Sequence, residues 1–158
     1  MLATVIAAAE PGDTVATSDR AVAFRAPGPP RPRVKLIDTT VTVDHLRGEE
    51  SATDLLRRLL EEGETLVASE IVRFELIAGV RGDEIEALEQ FFGAISWIAV
   101  DEDVSRVAGA LARTHRKAYS GIDDADYLIA ATALLLEAEL LTTNVRHFPM
   151  LPDLRAAY

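Results

Sequence analysis

From Val34 onward, short apolar runs of β type alternate with longer runs whose apolar residues fall at helical spacing. Val34-Lys35-Leu36-Ile37 reads as a strand that stops on Asp38, and Thr65-Leu66-Val67-Ala68 reads as a second. Trp97-Ile98-Ala99-Val100 gives a third, and Leu140-Leu141-Thr142-Thr143 a fourth that ends on Asn144. Between them, residues 51–61 put Leu55, Leu56, Leu59 and Leu60 on one helical face, with Arg57 and Arg58 opposite. Ser69 suits the N-cap of a helix running through Ile71, Val72, Phe74, Glu75 and Leu76, which Gly79 closes. Residues 83–92 predict a helix with Ile85, Leu88, Phe91 and Phe92 inward and Gly93 as its stop. Residues 101–117 predict another, with Val104, Val107, Ala108 and Leu111 on one face, and residues 123–137 a last one. This alternation predicts an α/β fold built on a parallel sheet with helices on both faces.

The lead before Val34 has a different character. Residues 26–33 hold four of the seven prolines, a density that permits neither a helix nor a sheet ladder and reads as an extended linker. Ahead of it stand a short apolar run from Thr4 to Ala9 and a turn signal at Pro11-Gly12-Asp13. The expected organisation is an N-terminal extension over 1–33, poorly ordered or a mis-assigned start, and one globular domain over 34–158. A domain of that size buries a substantial core.

Charge narrows the function. The chain carries 16 Lys and Arg against 26 Asp and Glu, and the region from Val34 holds 12 and 23 of these. A protein that merely coats nucleic acid has the opposite balance, so the acidity points to carboxylate chemistry, to a basic partner, or to solubility alone. There is no cysteine, which excludes disulfides and zinc–thiolate sites and fits a cytoplasmic location. No apolar run approaches a membrane span, and no basic stretch opens a secretory signal.

The candidate chemistry lies where the carboxylates fall. Asp38 ends the first strand, Glu75 lies early in the helix after the second, Asp126 opens the last helix, and Asn144 ends the last strand. In a parallel sheet these positions share the carboxyl rim, where open α/β sheets bind ligands. Acids crowded together repel one another unless a cation sits between them, and hard cations such as Mg²⁺ take oxygen ligands. Each residue also has a bland reading: Asp38 as an N-cap, Glu75 as a solvated position, and one of Asp123, Asp124 and Asp126 as a helix cap. A receiver-domain arrangement, which also groups acids around Mg²⁺, needs a lysine after a late strand; the only lysines are Lys35 and Lys117.

Four segments resemble the PIN domain, and more narrowly VapC-type toxins. They are Val34-Lys35-Leu36-Ile37-Asp38-Thr39-Thr40, Phe74-Glu75-Leu76-Ile77-Ala78-Gly79, Asp126-Tyr127-Leu128-Ile129-Ala130-Ala131-Thr132-Ala133 and Leu141-Thr142-Thr143-Asn144-Val145-Arg146-His147-Phe148. The resemblance spans about residues 34–154 and implies a three-layer α/β/α fold. It further implies Mg²⁺- or Mn²⁺-dependent endoribonuclease activity held in check by a cognate antitoxin. Asp38, Glu75 and Asp126 match the family's three acidic positions. Asn144 stands where many members have a fourth Asp, which favours one tightly held metal. Asp124 is an additional carboxylate, counted with Asp38, Glu75 and Asp126 in the expected metal set, with a role through water. On this reading Asp38 and Asp126 hold the metal, Glu75 holds or deprotonates a water, and Asn144 orients water or phosphate. Thr39 and Thr143 supply supporting hydroxyls, and His147 is structural. A catalytically silent PIN module is the alternative. The apolar faces of the 51–61 and 83–92 helices are expected to remain partly exposed and to serve a homodimer or an antitoxin helix.

Overall fold

Why the chain forms a parallel sheet follows from its strands: each is short and mainly apolar, and the first three lead into helices long enough to cross back over the sheet. In the computed structural model, which describes residues 33–158, the strands are β1 (Val34–Ile37), β2 (Thr65–Ser69), β3 (Ser96–Ile98) and β4 (Glu139–Leu141). They form one sheet in the order β3-β2-β1-β4, and every pairing is parallel. The helices are α1 (Thr39–Leu46), α2 (Glu50–Glu61), α3 (Glu70–Gly79), α4 (Ile85–Ala94), α5 (Glu102–His115) and α6 (Asp124–Leu136). The first two crossovers step the same way along the sheet, and the third jumps back across β2 and β1 to β4. Right-handed crossovers then put α1–α4 on one face and α5–α6 on the other. Ile37 and Leu66 of the sheet line one cavity with Leu56 of α2 and Phe91 of α4 on the first of these faces. The expected three-layer α/β/α architecture is therefore observed.

Several boundaries differ from the sequence reading. An additional helix, α1, follows Asp38 directly, and only its N-cap was legible from the residues. The third and fourth strands are shorter than 97–100 and 140–143, because pairing ends at Ile98 and Leu141. Gly93 does not stop α4; it lies inside the helix, which starts two residues later than expected and leaves Ile85 half exposed. Expectations for residues 1–32 lie outside the described residues.

The apolar faces of α2 and α4 are also corrected. Leu55, Leu56, Leu59, Leu88, Phe91 and Phe92 are buried in the core, and of those two faces only Leu60 and Ile85 are exposed. A four-stranded sheet needs that much cover on one face. Exposed apolar area lies instead at Phe74, Ile77 and Ile85 on α3 and α4, and at Leu134 and Leu135 on α6. No helix among the described residues is long and apolar enough to cross a membrane.

Candidate active site

β1 and β4 are neighbours: the crossover that leaves β1 runs one way along the sheet and the one that enters β4 comes back across it, so their carboxyl ends flank a topological switch point. Asp38 stands there. Its N–H donates to the Leu141 carbonyl at 3.0 Å, extending the β1–β4 pairing by one rung. By position it is the N-cap of α1, yet its side chain makes no capping bond. Instead Oδ2 accepts from the Thr40 and Thr142 hydroxyls, both at 2.7 Å. Those hydroxyls accept in turn from the Thr143 N–H at 3.2 Å and the Asn144 N–H at 3.0 Å. Two backbone amides thus reach a carboxylate that is only 4% exposed, each through one threonine.

The head of α6 supplies the opposite wall. Asp123 is the N-cap, and its carboxylate accepts from the Asp126 N–H while Asp126 Oδ2 accepts from the Asp123 N–H, both at 3.0 Å. Asp126 Oδ2 also meets His147 Nδ1 at 3.1 Å. Glu75 of α3 completes the group, with Oε2 accepting from the Thr39 hydroxyl.

The neighbouring acids act on Glu75 and Asp126 through their charge. Burial raises the Glu75 pKa above its ordinary value, the Thr39 hydrogen bond opposes this, and the charges of Asp123, Asp38 and Asp126 raise it further. Asp126 is also raised, first by burial and then by Asp123, against the lowering effects of the Asp123 amide and His147. Among the described residues no Lys or Arg pairs with Asp38, Glu75 or Asp126. Each of the three engages one oxygen in the bonds above, and the other oxygen has no hydrogen-bond partner among the described residues. No three His, Asp or Glu side chains among the described residues lie close enough to hold one ion together.

Asp38, Glu75 and Asp126 are thus brought to one rim, whereas two other expected residues are not used as anticipated. Asp124 turns outward to an ion pair with Arg116 and is exposed, because the two steps that separate it from Asp126 rotate its side chain by about 200° around the helix. Asp123 takes its place in the shared field. Asn144 contributes its backbone N–H to Thr142, and its side-chain oxygen accepts from Arg146 Nε at 3.2 Å. The supporting hydroxyls are those of Thr39, Thr40 and Thr142, while Thr143 contributes its N–H. The capping pattern of Asp123 and Asp126, three residues apart, was the signal for Asp123; the spacing gave no sign of the His147 contact.

The PIN domain pattern matches residues 35–152, which covers every residue of this rim. The chain belongs to the PIN domain family. Its relatives include Ribonuclease VapC19 of Mycobacterium tuberculosis, 61% identical over 79% of this chain and 100% of the relative. Ribonuclease VapC10 of the same organism is 35% identical over 78% of this chain and 92% of the relative. Among solved structures, VapBC2 from Rickettsia felis bound to a DNA fragment from their promoter superimposes with a TM-score of 0.67 at 23% identity, covering 78% of this chain and 96% of that one. VapBC-1 from nontypeable Haemophilus influenzae gives 0.64 at 25% identity, again over 78% of this chain and 96% of that one. The PIN fold is therefore common to them, and this chain lies among the VapC ribonucleases in sequence.

Proposed function

We propose that this protein is a divalent-metal-dependent endoribonuclease, the toxin of a VapBC-type toxin–antitoxin pair, with Asp38, Glu75 and Asp126 at its reaction centre. The observation that carries this reading is the gathering of these carboxylates at the β1/β4 switch point with no Lys or Arg among the described residues as counter-charge. The relatives' name, ribonuclease, supports RNA as the substrate, and the VapBC complexes among similar structures support an antitoxin partner. The cytoplasm, where RNA and antitoxin are made, is the proposed location.

The residues fit Mg²⁺ or Mn²⁺. All are hard oxygen donors, and Asp38 and Asp126 each keep one oxygen free. Mg²⁺ retains several of its waters and is commonly held by one or two carboxylates, so a closed protein cage is not required. Such an ion supplies positive charge for the developing phosphoryl oxyanion and makes nearby water more acidic. Glu75, its pKa raised by burial, accepts the proton of the attacking water at Oε1 while Thr39 holds Oε2. Asn144 and Arg146, already joined to one another, orient the scissile phosphate. Asp124 is left out of the metal set because Arg116 engages it.

An acidic domain needs a path for RNA. No Asp or Glu stands between Asp103 and Asp123, and the exposed Arg113, Lys117 and Tyr119 lie there, at and just past the end of α5. Arg116 ties this turn to the head of α6. Phosphate contacts and base stacking there bring a single strand toward the rim. Beside Glu75, a cavity of about 150 Å³ lined by Val43, Leu46, Leu76, Val80 and Leu88 suits an apolar residue of the antitoxin's tail. A neighbouring Arg or Lys of that tail competes with the cation for the acids. Exposed Phe74 and Ile77 on α3 support a homodimer through that helix.

The test is cleavage of single-stranded RNA by the purified protein. Cutting is expected in Mg²⁺ or Mn²⁺, to stop in excess EDTA, and to return when metal is restored. Undiminished cleavage in EDTA overturns the reading, and RNA binding without cleavage in any metal supports a silent module.

A further inference from the structure

His147 sits in a single 3₁₀ turn, Val145–His147, directly after the chain leaves β4. The turn is held at both ends. The His147 N–H donates to the Asn144 carbonyl and the Phe148 N–H to the Val145 carbonyl, both at 3.0 Å, and Phe148 is buried in the core. The imidazole therefore projects from a fixed base. Its Nδ1 lies 3.1 Å from Asp126 Oδ2, with 27% of the histidine side chain and 13% of the aspartate side chain exposed. A carboxylate oxygen only accepts, so Nδ1 carries the proton and donates.

Asp126 Oδ2 thus receives two hydrogen bonds from different parts of the chain, one from the Asp123 amide and one from His147. Two donors converging on one oxygen fix both side-chain torsions of an aspartate and leave Oδ1 pointing in a set direction. The Asp123 amide alone leaves the carboxylate free to swing about that bond. We infer that His147 is a positioning residue for Asp126, holding Oδ2 so that Oδ1 is presented to the divalent cation. This role rests on Asp126 being a ligand, and groups that orient ligands commonly contribute about 10- to 100-fold to metal affinity. It differs from a purely structural role, in which the contact would serve only to fasten the β4 exit to α6. It also differs from a role for the imidazole as ligand or proton carrier.

The full chain with His147→Ala, His147→Gln and His147→Asn separates these possibilities, because an Asn side-chain N–H falls near the Nδ1 position and that of Gln near Nε2. Mn²⁺ affinity is read by electron paramagnetic resonance of free Mn²⁺, and Tm is read in EDTA. His147→Ala and His147→Gln are expected to weaken Mn²⁺ binding by about 10-fold or more, with cleavage largely restored at saturating Mn²⁺. His147→Asn is expected to bind Mn²⁺ nearly as wild type does. Unchanged Mn²⁺ affinity in His147→Ala, whatever its Tm, overturns the inference, as does a His147→Asn that binds as weakly as His147→Ala. Failure of the wild-type protein itself to bind Mn²⁺ is a separate result, which overturns the metal reading and this role with it.

Discussion

Strand β1 and the residue that follows it bury two charged side chains three positions apart, Lys35 and Asp38, and the protein treats them in opposite ways. Lys35, 6% exposed, is neutralised at 2.5 Å by Glu139, its register partner on β4. Asp38, 4% exposed, receives two hydroxyls, adds its charge to the field that acts on Glu75, and pairs with no Lys or Arg among the described residues. A buried charge without a counter-charge is costly, and the sheet's amino end shows that this chain can place an opposite charge where needed. At the carboxyl end the protein gathers like charges instead. The contrast marks the amino end as built for stability and the carboxyl end as built to receive a cation.

The largest effect is expected on activity, at Asp38. Asp38→Asn keeps acceptors for the Thr40 and Thr142 hydroxyls but removes the charge. RNA cleavage should fall by roughly 100-fold or more, since even groups behind a metal's ligands contribute up to about that much. Tm in EDTA should stay level or rise because a repulsion is relieved, and a large drop in Tm would place Asp38 with Lys35 as a structural charge. At the other end the order reverses. Glu139→Ala leaves the Lys35 ammonium buried without a partner and should cost about 1–3 kcal/mol in denaturant unfolding. Lys35→Met should cost less, because Glu139 is largely exposed and a buried ion pair is often replaceable by apolar volume. Cleavage should survive both substitutions, and its loss in Glu139→Ala would erase the distinction between the two ends.

A smaller effect comes from pH. The pKa values of Glu75 and Asp126 are raised above their ordinary 4.5 and 3.8, chiefly by burial, so the folded state prefers their protonated forms. The native state then binds more protons than the unfolded chain across that interval, and stability falls as pH rises through it. In EDTA, Tm should therefore decline as pH climbs above 4.5, and Glu75→Gln should flatten the decline. A wild-type profile rising over the same interval would contradict the shared repulsion. The smallest effect should be at Tyr127, whose hydroxyl is buried without a hydrogen-bond partner among the described residues. Tyr127→Phe should change stability by less than about 1 kcal/mol, in either direction, because no protein hydrogen bond is lost. A loss beyond that by chemical denaturation would assign the hydroxyl a role that its surroundings do not reveal.

The sequence revealed the strand and helix order because the parallel strands are continuous apolar runs and the helices keep their period. Asp38, Glu75 and Asp126 were legible as a group because strand ends in a parallel sheet share one rim. What escaped depends on rotation and reach. Asp123 and Asp124 differ by one residue in sequence, yet one closes the capping box with Asp126 and the other pairs with Arg116. Thr142 is favoured over Thr143 for the same reason, since alternate residues of an extended chain point to opposite sides. His147 reaches Asp126 across 21 positions through a turn whose direction no local pattern sets. The apolar stripes of α2 and α4 suggested an interface because periodicity reports an apolar face without saying what covers it.

One measurement tests the contrast between the two ends of the sheet most directly: the Tm of the wild-type protein with and without millimolar Mn²⁺, at pH 7.5 and at pH 4. A ligand that binds only the native state raises Tm, and the rim binds a cation only when its acids are ionised. Mn²⁺ is expected to raise Tm clearly at pH 7.5, to have little effect at pH 4, and to have little effect on Asp38→Asn at either pH. An unchanged Tm in the wild-type protein at pH 7.5, or an equal rise in Asp38→Asn, would contradict a cation site at this rim.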